Sequence, residues 1–277
     1  MMFNRPDSTY QINQVLDGSY QKDISNPLIQ ISTIIAENSR VLDIGAGNGS
    51  LGRLFSQQGK SINIDGIEPN GVAANIAKPY YRKIHIGYLN DFIDTIDFES
   101  YDYIVLADVI EHIENPQIFL NHLSLLLGSK ANLLVSIPNI AFGAVRLSLS
   151  RGEFNYVDSG ILERTHLRFF TYSSAISLFN SVGLNASFAI YLCRSFYRNE
   201  FNRASVGFPG SSLIRYAFTK DARAYQFLFC LERGPSMHTK ILVVGASSFN
   251  IFFDAFFYWP WTKKLARIFF RFLKYFE

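Results

Sequence analysis

The chain has 277 residues, enough for one large domain or a domain with an extension. Its 48% hydrophobic content supports a full core and excludes global disorder, while a net charge of +3 is too small to make nucleic acid an expected partner. The two cysteines, Cys193 and Cys230, sit in apolar segments and read as buried thiols of a reducing compartment rather than a disulfide framework.

Met1 to Asp23 is polar and has no apolar stretch, so no signal peptide is expected there. No run of about 18 apolar residues occurs, so a membrane span is not expected either. Asn26 to Asn38 carries Ile and Leu at helical spacing, and Arg40–Ile44 reads as a first strand. Ser50 to Gln58 reads as a helix stopped by Gly59, and Ser61–Glu68 as a second strand. A helix over Gly71–Ala77 is closed by Pro79; Arg82–Ile86 is a third strand and Tyr101–Ala107 an apolar fourth. Asn115-Pro116 marks a helix start, with Asn as cap and Pro in the first turn; that helix runs to about Leu127. Ala131–Ile137 is a fifth strand. After a less regular stretch come a helix over Tyr172–Val182 and a closing antiparallel pair, Asn185–Cys193 with Ala224–Glu232. Alternating strands and helices predict an α/β fold with a mostly parallel sheet covered on both faces.

The most informative stretch is Val41-Leu42-Asp43-Ile44-Gly45-Ala46-Gly47-Asn48-Gly49, a buried strand running into a glycine-rich turn before a helix. Such glycines let backbone approach a flat or anionic ligand. Taken alone the pattern is weak, and a plain tight turn stays open. The dinucleotide fingerprint Gly-x-Gly-x-x-Gly would need a glycine where Ser50 stands. Asp43 to Gly49 resembles the first motif of class I S-adenosylmethionine (SAM)-dependent methyltransferases. The resemblance covers roughly Arg40 to Arg233. It implies a Rossmann-like sheet of seven strands, the last inserted antiparallel, with SAM as cofactor.

By that resemblance, Asp43 lies near the methionine moiety, and Gly45, Ala46, Gly47 and Gly49 line the same end. Glu68, at the end of the second strand, can accept hydrogen bonds from ribose hydroxyls, a role that serves SAM and NAD alike. Leu89 and Asn90 would touch adenine, and Asp108 is a further expected cofactor-binding residue. An ordinary strand-end Glu and a turn-capping Asp are the plainer readings of Glu68 and Asp43.

Asp108, Glu111 and His112 follow the fourth strand at i, i+3, i+4, and one helical turn would put them on one side. The segment resembles the Asp/Glu-x-x-Glu-His stretch of several methyltransferase groups. Ubiquinone-biosynthesis O-methyltransferases and small-RNA 3′-end methyltransferases complete such a site with a later histidine, here His166. The resemblance thus implies Asp108, Glu111, His112 and His166 as ligands of a divalent ion, with Mg2+ as the candidate. Two other readings stay open: Glu111 and His112 only order the loop, or His112 or His166, with Asp108 nearby, manages the acceptor proton.

Ser136-Ile137-Pro138-Asn139 lacks the Asn/Asp-Pro-Pro-aromatic motif of enzymes that methylate exocyclic base amines, which favours O-methylation. Gly152 to Thr171 resembles bacterial methyltransferases of surface-polysaccharide pathways. Arg151, Arg164 and Arg168 there can receive an anion or pair with Glu153, Asp158 and Glu163, and Phe154 and Tyr156 can stack on a sugar or pack on their own loop.

From Phe249 onward the chain is rich in aromatic residues. On a helix, Lys263, Lys264, Arg267, Arg271 and Lys274 fall on one side and Leu265, Ile268, Phe269, Phe272 and Phe276 on the other. Such a helix fits an anionic membrane surface, or a face of its own domain or a second subunit. The expected layout is therefore an N-terminal helical segment over 1–39, a SAM-binding domain over 40–233 and an aromatic, basic extension over 234–277. The expected function is SAM-dependent O-methylation of a sugar, glycan or lipid-linked hydroxyl, in a cytoplasmic or membrane-peripheral protein with a small-molecule or glycan acceptor. The alternatives are a quinone-type or other small-molecule O-methyltransferase, and a non-catalytic SAM-fold partner protein.

Overall fold

A computed structural model describes residues 23–196, 200–201, 215–234 and 238–247. The amphipathic segment expected over 263–276 lies outside these residues.

Helix α1 (Pro27–Ile34) begins where Asn26 Oδ1 accepts the Leu28 amide, with proline in the first turn. It stops short of Asn38, which takes the left-handed conformation (φ 61°) and turns the chain into β1 (Arg40–Ile44). Next come α2 (Ser50–Gln57), β2 (Asn63–Glu68), α3 (Gly71–Ala77), β3 (Lys83–Ile86) and β4 (Tyr103–Ala107). They are followed by α4 (Pro116–Leu126), β5 (Asn132–Pro138), α5 (Gly143–Ser150) and α6 (Tyr172–Ser181). The chain continues through β6 (Leu184–Cys193), α7 (Lys220–Arg223), β7 (Ala224–Arg233) and β8 (Lys240–Gly245). Asn70, Asn115 and Thr171 cap α3, α4 and α6 through their side-chain oxygens.

The strands form one sheet in the order β3-β2-β1-β4-β5-β7-β6-β8. β7 alone runs antiparallel, between β5 and β6. The expected antiparallel insertion is thus observed, with one strand more than the seven expected. β8 falls within the segment 234–277 read as an extension, yet it pairs in parallel with β6 from Phe188↔Lys240 to Cys193↔Gly245.

Alternate residues of the central strands feed opposite faces. Leu42, Ile104, Leu106 and Leu133 pack on one side with Leu120 and Leu123 of α4 and Phe179 of α6. Val41, Val105 and Leu134 pack on the other with Ile31 and Ile35 at α1 and Leu51 and Phe55 of α2. A smaller core, with Phe142, Val145, Leu147, Ile161, Leu162, Phe196 and Tyr225, knits α5 to the irregular chain before α6. Cys193 and Cys230 are buried and free, as expected. Among the described residues no helix is long and apolar enough to cross a membrane.

Candidate active site

The carboxyl end of β1 enters the glycine loop. Gly45, Gly47 and Gly49 all have positive φ, at 81°, 54° and 83°. Two of these positions tolerate nothing larger than glycine. A Cβ on Gly45 would stand 2.7 Å from Val109 Cγ2, and one on Gly49 would stand 2.7 Å from the Ala77 backbone. Gly49 therefore packs the start of α2 against the end of α3. The amides of Gly45 and Ala46 donate to the Ile67 carbonyl at 2.8 and 3.1 Å.

Glu68 closes the loop from the neighbouring strand. Its Oε2 accepts the Gly47 amide at 2.8 Å and its Oε1 the Asn70 amide at 2.8 Å, within the core. The acid expected to meet a ribose thus also holds the glycine loop in shape. Asp43 is equally buried, and its Oδ2 accepts the Tyr81 hydroxyl at 2.6 Å. Burial pushes Asp43 up to about 7; the Tyr81 hydrogen bond opposes that rise and the nearby Glu68 adds to it. Leu89 and Asn90 follow β3 in a short 3-10 turn; Leu89 is buried in the main core and Asn90 is exposed.

Beyond β4, Asp108 has φ 56°, a left-handed conformation that costs a non-glycine residue energy. Ser136 of β5 holds it twice: its hydroxyl donates to Asp108 Oδ1 at 2.9 Å and accepts the Asp108 amide at 3.0 Å. Gln226 of β7 donates a further hydrogen bond to Oδ1. Asp108 is exposed as a whole residue, yet its carboxylate is tucked under the rim, and burial pushes its pKa up to about 6 against the Ser136 and Gln226 hydrogen bonds, which lower it.

Glu111 and His112 lie in the 3-10 turn Ile110–His112. Their partners arrive from the segment before α6. The Leu167 and Arg168 amides donate to the Glu111 carbonyl at 2.8 and 3.0 Å, and the Arg168 guanidinium donates to the Glu114 carbonyl. This docking brings His166 against His112, their rings edge to face with centroids 4.8 Å apart. His112 Nδ1 lies 3.1 Å from the Thr165 carbonyl and His166 Nδ1 lies 2.9 Å from that of Ile161. A carbonyl only accepts, so both Nδ1 atoms carry a proton, and the burial that favours the neutral His166 ring leaves a lone pair on its Nε2. His166 Nε2 stands 4.0 Å from Glu111 Oε1.

Glu111 is 1% exposed and neither of its oxygens has a hydrogen-bond partner. Burial first, and then the charge of Asp108, pushes its pKa well above the usual carboxylate range, while burial pushes His166 down. One ligand atom from each of Glu111, His112 and His166 lies within 4.8 Å of the others. Asp108 is outside that group. It was expected as the first metal ligand, but its left-handed backbone turns it to Ser136 and Gln226 instead. The three clustered donors fit a cation: a buried carboxylate with no hydrogen-bond partner and two imidazoles whose Nδ1–H groups are anchored on carbonyls.

Sequence reasoning missed Tyr81, Ser136 and Gln226. Gln226 left one signal, a buried polar residue in the otherwise apolar run of β7. Of the arginines weighed for an anion, Arg164 pairs with Asp158 at 3.2 Å and Arg168 clamps the Glu114 carbonyl.

A family model described as a methyltransferase domain matches residues 17–187. A ubiquinone biosynthesis O-methyltransferase from Rickettsia bellii (strain OSU 85-389) is 27% identical over 128 residues, 46% of this chain and 52% of that protein. One from Rhodopseudomonas palustris (strain TIE-1) is 30% identical over 121 residues, 43% of this chain and 47% of its own length. The chain spans about half the length of the curated relatives it matches. Among solved structures, a SAM-dependent methyltransferase from Archaeoglobus fulgidus aligns with TM-score 0.51 at 10% identity, over 76% of this chain and 93% of that one. The plantazolicin methyltransferase BamL, solved in complex with a triazolic desmethylPZN analog and S-adenosylhomocysteine (SAH), aligns with TM-score 0.51 at 15% identity, over 78% of this chain and 87% of that one. These two likenesses support the fold.

Proposed function

The chain belongs to the methyltransferase-domain family, and from that premise we propose that it transfers the methyl group of SAM to a hydroxyl of a small-molecule or glycan acceptor. One observation carries this reading: Val109, within the loop of Asp108, Glu111 and His112, packs directly on Gly45 of the glycine loop. The candidate cofactor loop and the candidate proton-handling cluster therefore share one end of the sheet, where open α/β sheets bind ligands. SAH in the BamL structure supports SAM as the methyl donor. The O-methyltransferase relatives support oxygen as the acceptor atom.

The sulfonium methyl is already electrophilic. The acceptor oxygen forms a bond to that carbon as the carbon–sulfur bond breaks, and the hydroxyl proton must leave. His166 Nε2, which keeps its lone pair, or the neighbouring His112 is the group that takes it. Alternatively, Glu111 and these same imidazole nitrogens would hold a divalent cation, whose charge would favour loss of the acceptor proton to solvent, since one lone pair cannot both bind a cation and take a proton. With two imidazoles, one carboxylate and Asp108 set apart, this donor set suits Zn2+ or a similar ion better than the Mg2+ first expected.

The acceptor's hydroxyl is carried by a glycan-type ring on the resemblance of residues 152–171, or by a quinone-type ring on the naming of the relatives. Calorimetric titration of the purified chain with SAM and SAH, with and without Zn2+ or Mg2+, tests the donor site. Transfer of labelled methyl to hydroxyl acceptors then tests the chemistry. We expect both SAM and SAH to bind, and His166→Ala to slow transfer by about a hundredfold with SAH affinity unchanged. Failure of the intact chain to bind either SAM or SAH would sink the reading.

A further inference from the structure

The two edges of the sheet are guarded unequally. At one end of the strand order, β3 has only four residues, and Lys83 and His85 are two of them. Short length and a charged side chain discourage an edge strand from pairing with another chain. At the other end, β8 runs Lys240-Ile-Leu-Val-Val-Gly245, with no charge after Lys240. Leu242 is 41% exposed and Val243 is 45% exposed. Among the described residues no strand lies beyond β8. The register with β6 also shows which main-chain groups face that edge. The Ala246 amide donates to the Cys193 carbonyl at 2.9 Å, and Gly245 is the partner of Cys193. Main-chain groups point to alternate sides along a strand, so Lys240, Leu242 and Val244 turn theirs toward β6. Ile241 and Val243 turn their amides and carbonyls outward.

We propose that β8 pairs antiparallel with β8 of a second copy of the chain across a two-fold axis, joining two eight-stranded sheets into one. The edge is complementary to itself. A two-fold axis perpendicular to the sheet keeps each face continuous, so opposed residues must have the same parity and one residue sits on the axis. With Leu242 there, Ile241 of each copy faces Val243 of the other, and these residues exchange the hydrogen bonds that β8 directs outward. Lys240 faces Val244, so no like charges oppose each other, and the remaining opposed pairs are apolar. Centring the pair on Val243 would call on Gly245, whose φ of 98° takes it out of extended geometry. Leu242 is therefore the residue that meets its own copy. A pair of six-residue strands is smaller than the roughly 1,200 Å2 at which stable interfaces begin, so the Kd is on the order of tens of micromolar and dilute protein is monomeric. This pairing does not depend on the methyl-transfer reading.

The test is sedimentation equilibrium of the full chain from about 1 to about 300 μM, over which the average mass should rise from that of a monomer toward that of a dimer. Leu242→Lys and Leu242→Glu each set two like charges face to face on the axis, and each should weaken the dimer by about tenfold or more. Mixing the two variants in equal amounts should restore association, because Lys then faces Glu. A merely structural role for Leu242 would give no such rescue. Melting temperature in dilute solution should stay as in the parent for both variants. A full chain that is monomeric at every concentration would overturn the proposal. So would a dimer that both variants leave intact, or a mixture that stays monomeric. A chain ending before Phe249 that associates while the full chain does not would also overturn it, and would assign the edge to the chain's own C-terminal segment.

Discussion

Asp43 and Glu111 are two acids that burial drives toward the neutral form, and they differ in their company. Asp43 has the Tyr81 hydroxyl as a partner; Glu111 has no hydrogen-bond partner for either oxygen. For Asp43 the consequence is a pH dependence. Its folded pKa of about 7 lies above the unfolded carboxylate value of about 4, so between these pH values the folded chain holds a proton that the unfolded chain has released. Stability from this group is fully present below about pH 4 and is lost as pH rises through 7, by at most about 1.4 kcal/mol per pH unit. Asp43→Asn should flatten that part of the profile. The check is urea unfolding of parent and variant at several pH values, and parallel curves would refute it. For Glu111 the consequence is a trade of stability for function. In chelator-treated protein, Glu111→Met should raise unfolding stability by about 1 kcal/mol, because it removes a buried, unsatisfied acid, and in Zn2+-loaded protein it should reduce methyl transfer by about a hundredfold. A less stable variant would mean that the folded protein satisfies this carboxylate.

The central elements are the most legible part of the chain. β1, β4 and β5 are apolar runs that bury both faces, and α3, α4 and α6 begin at Asn or Thr caps that a reader can find in the sequence. These signals are local and need no partner. β8 is less legible, because Lys240-Ile-Leu-Val-Val-Gly245 carries the β-branched residues of a strand but runs toward the aromatic stretch that dominates the segment after it. α5 gives little local signal, since Gly143-Ala-Val-Arg-Leu-Ser-Leu-Ser150 combines a glycine, β-branching and serines, and its burial against Ile161 and Phe196 overrides weak propensity. β8 offers a clean test of its own pairing. Val244 packs on the second core face, whereas Val243 is 45% exposed. Val244→Asp should cost about 2 kcal/mol or more, and Val243→Asp less than about 0.5 kcal/mol. Equal effects in chemical denaturation would mean that β8 is not seated as described.

At the scale of the molecule, the sheet order brings the carboxyl ends of β1 and β4 side by side, which is why the glycine loop and the Glu111 turn touch. We also propose that the segment from Phe249 attaches the protein to anionic membranes, since its sequence puts five cations on one helical side and bulky apolar residues on the other. A chain ending before Phe249 should bind SAH as the full chain does and lose its sedimentation with phosphatidylserine vesicles. Undiminished vesicle binding would refute the proposal, and loss of SAH binding would show that the segment supports the fold.

What the sequence by itself determined is what neighbours in the chain can encode. The glycine loop with Asp43, the acid that ends β2, the alternation of strands and helices, the caps, and the pairing of Glu111 with His112 are all short-range patterns. What only the tertiary structure decided is which distant side chains meet. His166 joins Glu111 and His112 because backbone amides of one loop bond the carbonyl of another. Asp108, expected among the metal ligands from its spacing, is drawn away by Ser136 and Gln226 on two other strands. Glu68 turns out to hold the loop it faces. Periodicity fixes the face on which a residue lies, but loop closure and strand order fix its neighbours, and those depend on contacts across the whole chain.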